Sequence, residues 1–339
     1  MIHRRERYSL AKHNTFRMNV SCACFVEYDS PADLAELDFG QLPQPVIHIG
    51  AGSNLLFTGD FPGTVLHSSI KYYKTYPSSG DEVLVEVGAG VVFDDFCAWA
   101  CNNVLWGAEN LSGIPGEVGA AAVQNIGAYG AEVKDIVAQV KCFDLQSRRL
   151  ETIPVSDCAY AYRDSAFKHA PAKGRFIVVG VLFRLSRSAG PNLSYKGLAE
   201  AFPDREPSRP GEVRRKVLEI RAGKLPDPAE TGSAGSFFKN PVVSPAVFAH
   251  VQAVAASAQV PHYELPDGGV KIPAAWLIEQ CGLKGAELGE AAVYHKQPLV
   301  IINKTGSAKP QDIIALEQKI IDSVKAKFGI ELSPEVEHI

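Results

Sequence analysis

Two segments of the chain pair polar side chains with aromatic or small residues in a way that could support chemistry. The first, AYRDSAFK, contains Arg163, and an arginine beside aromatic residues can bind a carboxylate or a phosphate through two parallel hydrogen bonds. A structural ion pair with Asp164 is the simpler alternative. The second, AGSFFKNP, contains Ser236, which could act as a nucleophile or a proton donor. This serine does not stand in a G-x-S-x-G frame, so a hydrolase is unsupported, and a serine that caps a turn is the alternative.

Two further segments are rich in glycine, which allows backbone N–H groups to approach a ligand closely. The segment IGAGSN follows a strand-like run, and the amides of Gly50 to Asn54 could bind a phosphate. It matches neither G-x-G-x-x-G nor a P-loop, and a plain tight turn is the alternative. The segment SGIPGEVGAAAVQNIGAYG contains five glycines within eighteen residues and few charges. This composition favours close approach to a flat ligand, with a helix–helix contact through Gly119 to Ala122 as the alternative.

Composition and charge exclude several broad classes of protein. The chain has 339 residues, of which 46% are hydrophobic and 21% charged, values typical of a globular protein with two or three domains. The net charge of −4 provides no global basic excess for a nucleic-acid backbone, so no nucleic-acid partner is predicted. The basic N-terminus lacks the apolar core of a secretory signal, and no run of about 20 apolar residues could span a bilayer. These features predict a soluble, cytoplasmic protein without a membrane partner.

Cysteine and histidine spacing predicts neither disulfides nor a metal site. The seven cysteines are odd in number and include no C-x-x-C pair, which is typical of reduced thiols in the cytosol. Cys97 and Cys101 share one face of a predicted helix, and we interpret them as small buried residues. The histidines lack H-E-x-x-H or similar ligand spacing. Taken alone, Glu335 in the C-terminal PEV segment is most simply a solvated surface carboxylate.

Apolar periodicity and turn residues divide the chain into three segments of mixed helix and strand. The first, 20–70, has a βαβ-like pattern with strands CACFVEY, PVIHIG and TVLHS and a helix PADLAEL capped by Ser30. The second, 72–221, contains strands EVLVEVGAG, DIVAQVKCFDL, RRLETIPV and RFIVVGVLFRL and an amphipathic helix VFDDFCAWACNNV. The third contains strands in GSAGSFFKNPVV and PLVIINK. Its helices are VRRKVLEIRAGKLPDP, 244–258 with Ser244 as N-cap, PAAWLIEQCG, and PQDIIALEQKIIDSVKAKFG ending at Gly329.

Five motifs occur in order across nearly the whole chain, and together they resemble the UDP-N-acetylenolpyruvoylglucosamine reductase family. They are HNTF, IGAGSNLL, SGIPGEVGAAAVQNIGAYG, AYRDSAFK, and AGSFFKNPV with a final PEV. The segments LSYKGLAEAF and PAAWLIEQCGLKG look like the longer, type I branch of this family. The resemblance implies an α+β FAD-binding fold of the vanillyl-alcohol-oxidase (PCMH) type with a C-terminal α+β substrate-binding domain. It implies FAD-binding subdomains at 1–70 and 71–221, the extreme C-terminus being a candidate addition to the first, and a substrate-binding domain at 222–339.

The resemblance also implies a reaction and its catalytic residues. The family uses NADPH to reduce a non-covalently bound FAD, which then passes hydride to the enolpyruvyl group of UDP-N-acetylglucosamine enolpyruvate. The product is UDP-N-acetylmuramate, a peptidoglycan precursor. The matching motifs place the proton donor at Ser236, a carboxylate-binding guanidinium at Arg163 and a further catalytic carboxylate at Glu335. The assignment is chemically coherent because a fixed guanidinium would stabilise the enolate that hydride addition creates.

The same resemblance assigns binding residues. Substrate contacts would come from Tyr195 on an extra loop, from Lys224 and from Asn240. FAD would be bound by residues of the glycine-rich segments: Gly50, Ala51, Gly52, Ser53, Asn54, Leu55, Ser112, Gly113, Ile114, Pro115, Gly116, Gly119, Gln124, Asn125, Gly127 and Tyr129. The chain departs from the family where Ala-Ala-Val precedes Gln124, since the family often has proline there.

Two alternative functions remain open from the sequence. A different flavin oxidoreductase of the same fold would act on alcohols or sugars and would use oxygen. A non-catalytic flavin-binding protein would have no need of Arg163, Ser236 and Glu335 together. A monomer without a metal ion is expected, and the sequence leaves open whether Glu335 positions Arg163 or assists protonation.

Overall fold

Contacts within the chain group its residues into two units, and neither unit is continuous in sequence. The computed structural model describes residues 1–78, 80–255 and 259–339. Unit 1 comprises Met1–Tyr8, Cys22–Ala51 and Pro62–Gly223, and unit 2 comprises Ser9–Ser21, Gly52–Phe61 and Lys224–Ile339. Both units mix helices and strands, as expected for an α+β protein. The division into three domains at 1–70, 71–221 and 222–339 stays a prediction.

Helices and strands alternate along the described residues. The strands are β1 (Ile2–Ser9), β2 (Ser21–Tyr28), β3 (Val46–Ile49), β4 (Leu55–Leu56), β5 (Phe61–Ser68), β6 (Tyr73–Tyr76), β7 (Glu82–Gly88), β8 (Gly127–Ala128), β9 (Ala131–Glu132), β10 (Val137–Asp144), β11 (Arg149–Pro154), β12 (Phe176–Ser186), β13 (Gly232–Ser236), β14 (Val242–Val243), β15 (Tyr263–Glu264), β16 (Val270–Lys271), β17 (Glu287–Leu288), β18 (Ala291–Val293), β19 (Val300–Asn303) and β20 (Glu337–His338). The helices are α1 (Pro31–Glu36), α2 (Phe93–Asn102), α3 (Val118–Gln124), α4 (Lys196–Ala199), α5 (Pro210–Lys224), α6 (Pro245–Ala255), α7 (Ala274–Gln280) and α8 (Pro310–Phe328). Within the described ranges, no helix combines the length and the apolar character needed to cross a bilayer.

The largest sheet of unit 1 has five antiparallel strands in the order β11-β10-β12-β7-β6. Its inner strands are nearly continuous runs of buried apolar residues, because the core lies against them. Helix α2 contributes an apolar face at the i, i+3, i+4, i+7 and i+8 positions typical of an amphipathic helix, namely Phe93, Phe96, Cys97, Ala100 and Cys101. The prediction that Cys97 and Cys101 are small buried residues is therefore confirmed.

A second sheet of unit 1 has the order β1-β2-β5-β3, with β3 and β5 parallel. The predicted helix between β2 and β3 is capped by Ser30, whose hydroxyl accepts the N–H of Asp33 at 3.3 Å. Strand β1 was not expected from its sequence, IHRRERYS, in which half of the residues are charged. It forms because an edge strand needs only one neighbour, and its charged side chains remain in water.

Unit 2 contains an antiparallel sheet of order β13-β19-β18-β17 and a smaller sheet of order β14-β16-β15. Helix α8 packs one apolar face on this unit, with Ile313, Leu316, Ile320, Val324 and Phe328 buried. As predicted, the helix ends at Gly329, which adopts a left-handed φ of 69°. Helix α6 is described over Pro245–Ala255, and residues 256–258 of the helix predicted over 244–258 lie outside the described residues.

The C-terminal segment of unit 2 contacts two other parts of that unit. Strand β20 pairs in parallel with β4, with Glu337 opposite Leu55. Just before it, Pro334 forms an antiparallel bridge with Phe238. The C-terminal segment therefore lies beside both the glycine-rich turn that precedes β4 and the AGSFFKNP segment.

Candidate functional site

In unit 1, Arg163 stands in a tight two-residue turn. Ala161 and Asp164 close the turn through N–H to O hydrogen bonds of 3.0 and 3.1 Å. Arg163 adopts a left-handed φ of 56°, which is strained for a residue with a side chain. Its Nη2 donates to the carbonyl oxygen of Gly127 at 2.6 Å, and the guanidinium lies 5.3 Å from the ring centre of Tyr162. A guanidinium has five N–H donors, so this bond is compatible with a two-point contact to a carboxylate.

The neighbouring acid, Asp164, accepts hydrogen bonds of 2.8 Å from Nε2 of His169. Partial burial opposes ionisation of Asp164, but the bond from His169 outweighs it and lowers the pKa of the carboxyl group. The imidazole of His169 is therefore a direct partner of the Asp164 carboxylate.

Asn125 connects the Arg163 turn to the end of helix α3. It adopts a left-handed φ of 44° as the C-cap residue and is fully buried. Its Nδ2 donates to the carbonyl oxygen of Ala161 at 2.7 Å, and its Oδ1 accepts the N–H of Lys134 at 3.2 Å. Gln124 accepts a bond of 3.1 Å from Lys168 Nζ. The Q-N-I-G sequence therefore holds the arginine turn in place, and any contact of Gln124 and Asn125 with FAD stays a prediction.

Gly127, on the hairpin β8–β9, has no room for a side chain. A Cβ atom there would lie 2.8 Å from the carbonyl oxygen of Ala131 and 2.9 Å from Nη1 of Arg163. Among the described residues, eight non-glycine residues have positive φ, and three of them are predicted site residues: Asn125, Tyr129 and Arg163. Because such backbone strain concentrates at functional sites, this part of unit 1 is the strongest candidate for a functional site.

The S-G-I-P-G turn of unit 1 contains a buried hydroxyl that is left without a hydrogen bond. Ser112 has no exposed surface, and its Oγ has no hydrogen-bond partner among the described residues; the same holds for Oδ1 of the buried Asn110. Such atoms are costly unless a ligand or water binds them. Gly113 has a φ of 73° and Gly116 a φ of 124°, and the turn includes Ile114 and Pro115. The two orphaned atoms fit the predicted flavin site.

Packing at the start of helix α3 explains Gly119 without a ligand. A Cβ atom on Gly119 would lie 2.9 Å from the Cβ atom of Ala89. The N–H of Gly119 donates to the carbonyl oxygen of Ala89 at 2.9 Å. Val118 donates in the same way to Val91. The small residue at Gly119 is required by the turn after β7, and the first amides of α3 are used by the protein itself.

The I-G-A-G-S-N turn is divided between the two units. In unit 1, Gly50 faces α3, because a Cβ atom there would lie 3.1 Å from that of Ala120. In unit 2, a Cβ atom on Gly52 would lie 2.0 Å from the carbonyl oxygen of His13, so only glycine is possible. Asn54 donates from Nδ2 to the carbonyl oxygen of Glu335 at 3.0 Å. Phosphate contacts by this turn, including Ala51, Ser53 and Leu55, stay a prediction.

In unit 2, Ser236 lies at an irregularity of strand β13. Strand β13 shifts register against β19 between Ser233 and Ser236, where Gly235 has a φ of 70°. Such bulges commonly re-aim a side chain next to a functional site. Ser236 is exposed, whereas Phe237 and Phe238 beside it are buried.

The structure brings Glu335 next to this serine segment. The backbone N–H of Glu335 donates to the carbonyl oxygen of Phe237 at 2.8 Å, and that of Lys239 donates to Ser333 at 3.0 Å. Together with the bond from Asn54, these contacts fix the PEV segment beside Ser236. Two of the predicted catalytic residues, distant in sequence, are therefore neighbours within unit 2.

The three predicted substrate residues have different surroundings. Oδ1 of Asn240 accepts the N–H of Ala274 at 2.9 Å, at the start of helix α7. Lys224 is the last residue of helix α5 and is exposed. Tyr195 is 38% exposed and contacts the ring of Tyr129 edge-to-face, with 5.3 Å between ring centres.

One partly buried cation of unit 1 was not identified from the sequence. Arg221 packs against Gly113, since a Cβ atom on that glycine would lie 2.9 Å from Nε, and it interacts with the hydroxyl of Tyr129. Burial lowers the pKa of Arg221 from its usual value. A sequence signal was available, because Val213, Val217 and Arg221 recur at i, i+4 and i+8, which puts a charge on the apolar face of a helix.

Two family models match this chain. The model described as UDP-N-acetylenolpyruvoylglucosamine reductase, C-terminal domain, matches residues 227–339. The model described as FAD binding domain matches residues 23–152. Together they cover both glycine-rich segments, the serine segment and the PEV segment.

Several proteins are similar to this chain over nearly their full length. A UDP-N-acetylenolpyruvoylglucosamine reductase of Bacteroides fragilis is 47% identical over 335 residues, covering 98% of this chain and 99% of the relative. One of Chromobacterium violaceum is 44% identical over 331 residues and covers 96% of each. The crystal structure of UDP-N-acetylenolpyruvylglucosamine reductase from Thermus caldophilus has a TM-score of 0.67 at 23% identity, covering 100% of this chain and 98% of that one. The predicted vanillyl-alcohol-oxidase-type α+β fold is confirmed.

Proposed function

The chain belongs to the UDP-N-acetylenolpyruvoylglucosamine reductase family, and from this premise we propose which of its residues perform the reaction. It catalyses the FAD-dependent reduction of UDP-N-acetylglucosamine enolpyruvate to UDP-N-acetylmuramate, with NADPH as the reductant. The observation on which this function depends is the full-length identity of 47% to a curated reductase. The proposed catalytic residues are Arg163, Ser236 and Glu335.

The proposed cofactor site lies in the 112–116 turn, helix α3, the hairpin β8–β9 and the residues Gly50 and Ala51 of unit 1. Its main support is the pair of orphaned buried atoms, Ser112 Oγ and Asn110 Oδ1, which a polar ligand would satisfy. When bound, FAD supplies hydride transfer from NADPH to the enolpyruvyl double bond. Attachment is proposed to be non-covalent, and the burial of Cys97 and Cys101 in the core supports this.

Arg163 is proposed to bind the enolpyruvyl carboxylate. Hydride addition to the terminal carbon leaves negative charge at the adjacent carbon, and this charge spreads into the carboxylate. A guanidinium already fixed by Gly127 and by the turn at Ala161 would stabilise that charge without reorganising. The strained φ of Arg163 supports the proposal, because a residue selected only for the turn would be glycine or asparagine.

Ser236 is proposed to deliver the proton to the carbon that bears this charge, and Glu335 to assist it. A serine hydroxyl is a weak acid, so it can act only if it is held in place beside a strong base, here the developing carbanion. The bulge at Gly235 and the pairing of Glu335 with Phe237 support such fixed placement. Assistance by Glu335 is proposed to be protonation through a water molecule.

Tyr195, Lys224 and Asn240 are proposed to bind the UDP part of the substrate. The exposed ammonium of Lys224 is suited to phosphate, and Tyr195 presents an exposed ring that is supported by Tyr129. The enzyme is further proposed to be cytoplasmic, since NADPH and nucleotide sugars are cytosolic metabolites, and it is proposed to be a monomer. Light scattering of the purified protein tests this with an expected mass of 36.6 kDa.

Two anaerobic half-reactions test the function. The purified, FAD-loaded protein is expected to lose its flavin absorbance with NADPH and to recover it with UDP-N-acetylglucosamine enolpyruvate. A different oxidase of the same fold would instead recover its absorbance only with oxygen. A non-catalytic flavin protein would stay oxidised with NADPH, and either result would refute the proposed function.

A further inference from the structure

A carboxylate at the start of helix α2 contacts two other elements at once. Oδ1 of Asp94 accepts the N–H of Gly113 at 2.5 Å. The same carboxylate accepts hydrogen bonds from both terminal nitrogens of Arg214, and the distance from Nη2 to Oδ2 is 2.8 Å. The side chains of Asp94 and Arg214 are 31% and 17% exposed. A bidentate, partly buried pair of this kind holds a fixed geometry, unlike an exposed ion pair.

One face of helix α5 packs against the turn that contains Gly113. Arg214, Leu218 and Arg221 are spaced i, i+4 and i+7, which places them on one face of the helix. A Cβ atom on Gly113 would lie 2.8 Å from Cδ2 of Leu218 and 2.9 Å from Nε of Arg221. Leu218 and Arg221 therefore pack α5 against the turn. Arg214 binds Asp94, the same carboxylate that accepts the N–H of Gly113.

The turn that these contacts fix is the one with the orphaned atoms. Ser112 Oγ and Asn110 Oδ1 are buried and lack a partner among the described residues, although Nδ2 of Asn110 donates to Tyr129 and Asn192 at 2.8 Å each. Both atoms lie within three residues of Gly113. A buried polar atom without a partner is a pre-formed contact for a ligand, provided that the backbone holds it in place.

We infer that Asp94 is a positioning residue for the flavin, which fixes the 112–116 turn through Gly113 and docks α5 onto that turn through Arg214. The inference rests on the proposed function, since it concerns the affinity for FAD. The N–H of Gly113 donates to Asp94, so that amide is not available to the cofactor. Gly113 has two roles: it leaves room for the side chains of α5, and it donates this hydrogen bond.

The test compares substitutions that remove different parts of the contact. Asp94→Ala removes the acceptor for Gly113 and the partner of Arg214, whereas Asp94→Asn keeps an oxygen that can accept the N–H of Gly113. Arg175→Gln is the matched control, because Arg175 makes an equivalent bidentate pair with Asp144 on strand β10, at 2.9 and 2.7 Å. Each flavin-free protein is titrated with FAD by flavin fluorescence, and hydrogen exchange of the 110–116 region is measured by mass spectrometry.

For Asp94→Ala we expect the Kd for FAD to rise by at least about 10-fold and exchange of the 110–116 region to accelerate. Asp94→Asn is expected to raise the Kd less than Asp94→Ala does, because it keeps the acceptor for Gly113 and loses only the ion pair with Arg214. Arg175→Gln is expected to leave the Kd unchanged while lowering stability. An unchanged Kd in Asp94→Ala, or equal losses in that variant and in Arg175→Gln, would overturn the inference.

Two further outcomes are distinguishable. If Asp94→Ala does not fold, the Kd of Arg214→Gln for FAD is measured instead. This variant keeps the bond between Asp94 and Gly113 but loses the ion pair that docks α5, and an unchanged Kd in Arg214→Gln would overturn the inference. If the parent protein binds no FAD, the proposed function fails. Exchange of the 110–116 region in the flavin-free proteins then still decides whether Asp94 holds the turn.

Discussion

Replacing Arg163 with lysine separates two properties of this side chain, its positive charge and its planar set of donors. The guanidinium donates to the carbonyl oxygen of Gly127 at 2.6 Å and can at the same time offer two parallel N–H groups to a carboxylate. An ammonium group keeps the charge but cannot make both contacts in one plane. The substitution therefore tests geometry and leaves the net charge unchanged.

The expected loss follows from this geometry. Removal of one pre-organised donor to a developing anion typically costs about 10²- to 10³-fold in rate, and we expect the lower value because the charge is kept. Reduction of the enolpyruvyl substrate should thus slow by about 100-fold, which corresponds to about 2.7 kcal/mol. Reduction of the flavin by NADPH involves no enolate, so it should change by less than about 3-fold.

Anaerobic stopped-flow absorbance measures the two half-reactions separately. Arg184→Lys is the matched control, because Arg184 pairs with Glu82 on the surface at 2.7 Å and is 57% exposed. That variant should match the parent in both halves, since exposed pairs contribute little. Equal slowing of both half-reactions in Arg163→Lys, or no slowing of the second, would refute the role of Arg163.

Two further predictions concern stability. His67 lies between Glu27 and Glu117, and its Nε2 is 2.9 Å from Oε1 of Glu117. Burial alone would lower the pKa of His67, but the two carboxylates outweigh burial and raise that pKa above 6.5. Charged His67 therefore adds stability that is fully present below pH 6.5 and is lost as the pH rises through the raised pKa. Urea unfolding against pH should show the deficit of His67→Gln shrinking above pH 6.5, and a constant deficit would contradict this. Gly52→Ala should lower the free energy of unfolding by more than about 3 kcal/mol, because of strain and the backbone 2.0 Å away. Gly306 has a φ of 80° and open space around it, so Gly306→Ala should lower the free energy of unfolding by only about 1 kcal/mol. Equal losses in Gly52→Ala and Gly306→Ala would contradict the account.

Local patterns were sufficient to predict most helices and most of the longer strands, whereas the two- and three-residue strands were largely not predicted. Helix α2 was predicted because its apolar residues recur with helical spacing, and α8 because the same spacing ends at Gly329. Strand β1 was missed because an exposed edge strand has no apolar pattern, and its formation depends on a partner strand elsewhere in the chain. Periodicity reports burial, so elements that stay exposed escape it.

The site was predictable in its motifs but not in its internal contacts. The motifs containing Arg163, Ser236 and Glu335 were identified from the sequence through the family resemblance. The pairing of Glu335 with Phe237 and the link between Asp94 and Arg214 join residues far apart in the chain, and no local pattern encodes such partners. The strained φ of Arg163 could not be foreseen either, since arginine has no preference for that conformation.

The most direct test of the central claim is the separation of the two half-reactions in Ser236→Ala. If Ser236 delivers the proton, anaerobic bleaching of the flavin by NADPH should proceed at nearly the parent rate. Recovery of the absorbance with UDP-N-acetylglucosamine enolpyruvate should slow by about 10²- to 10⁴-fold, the usual contribution of a positioned proton donor. Recovery at the parent rate, or equal slowing of bleaching and recovery, would contradict the account.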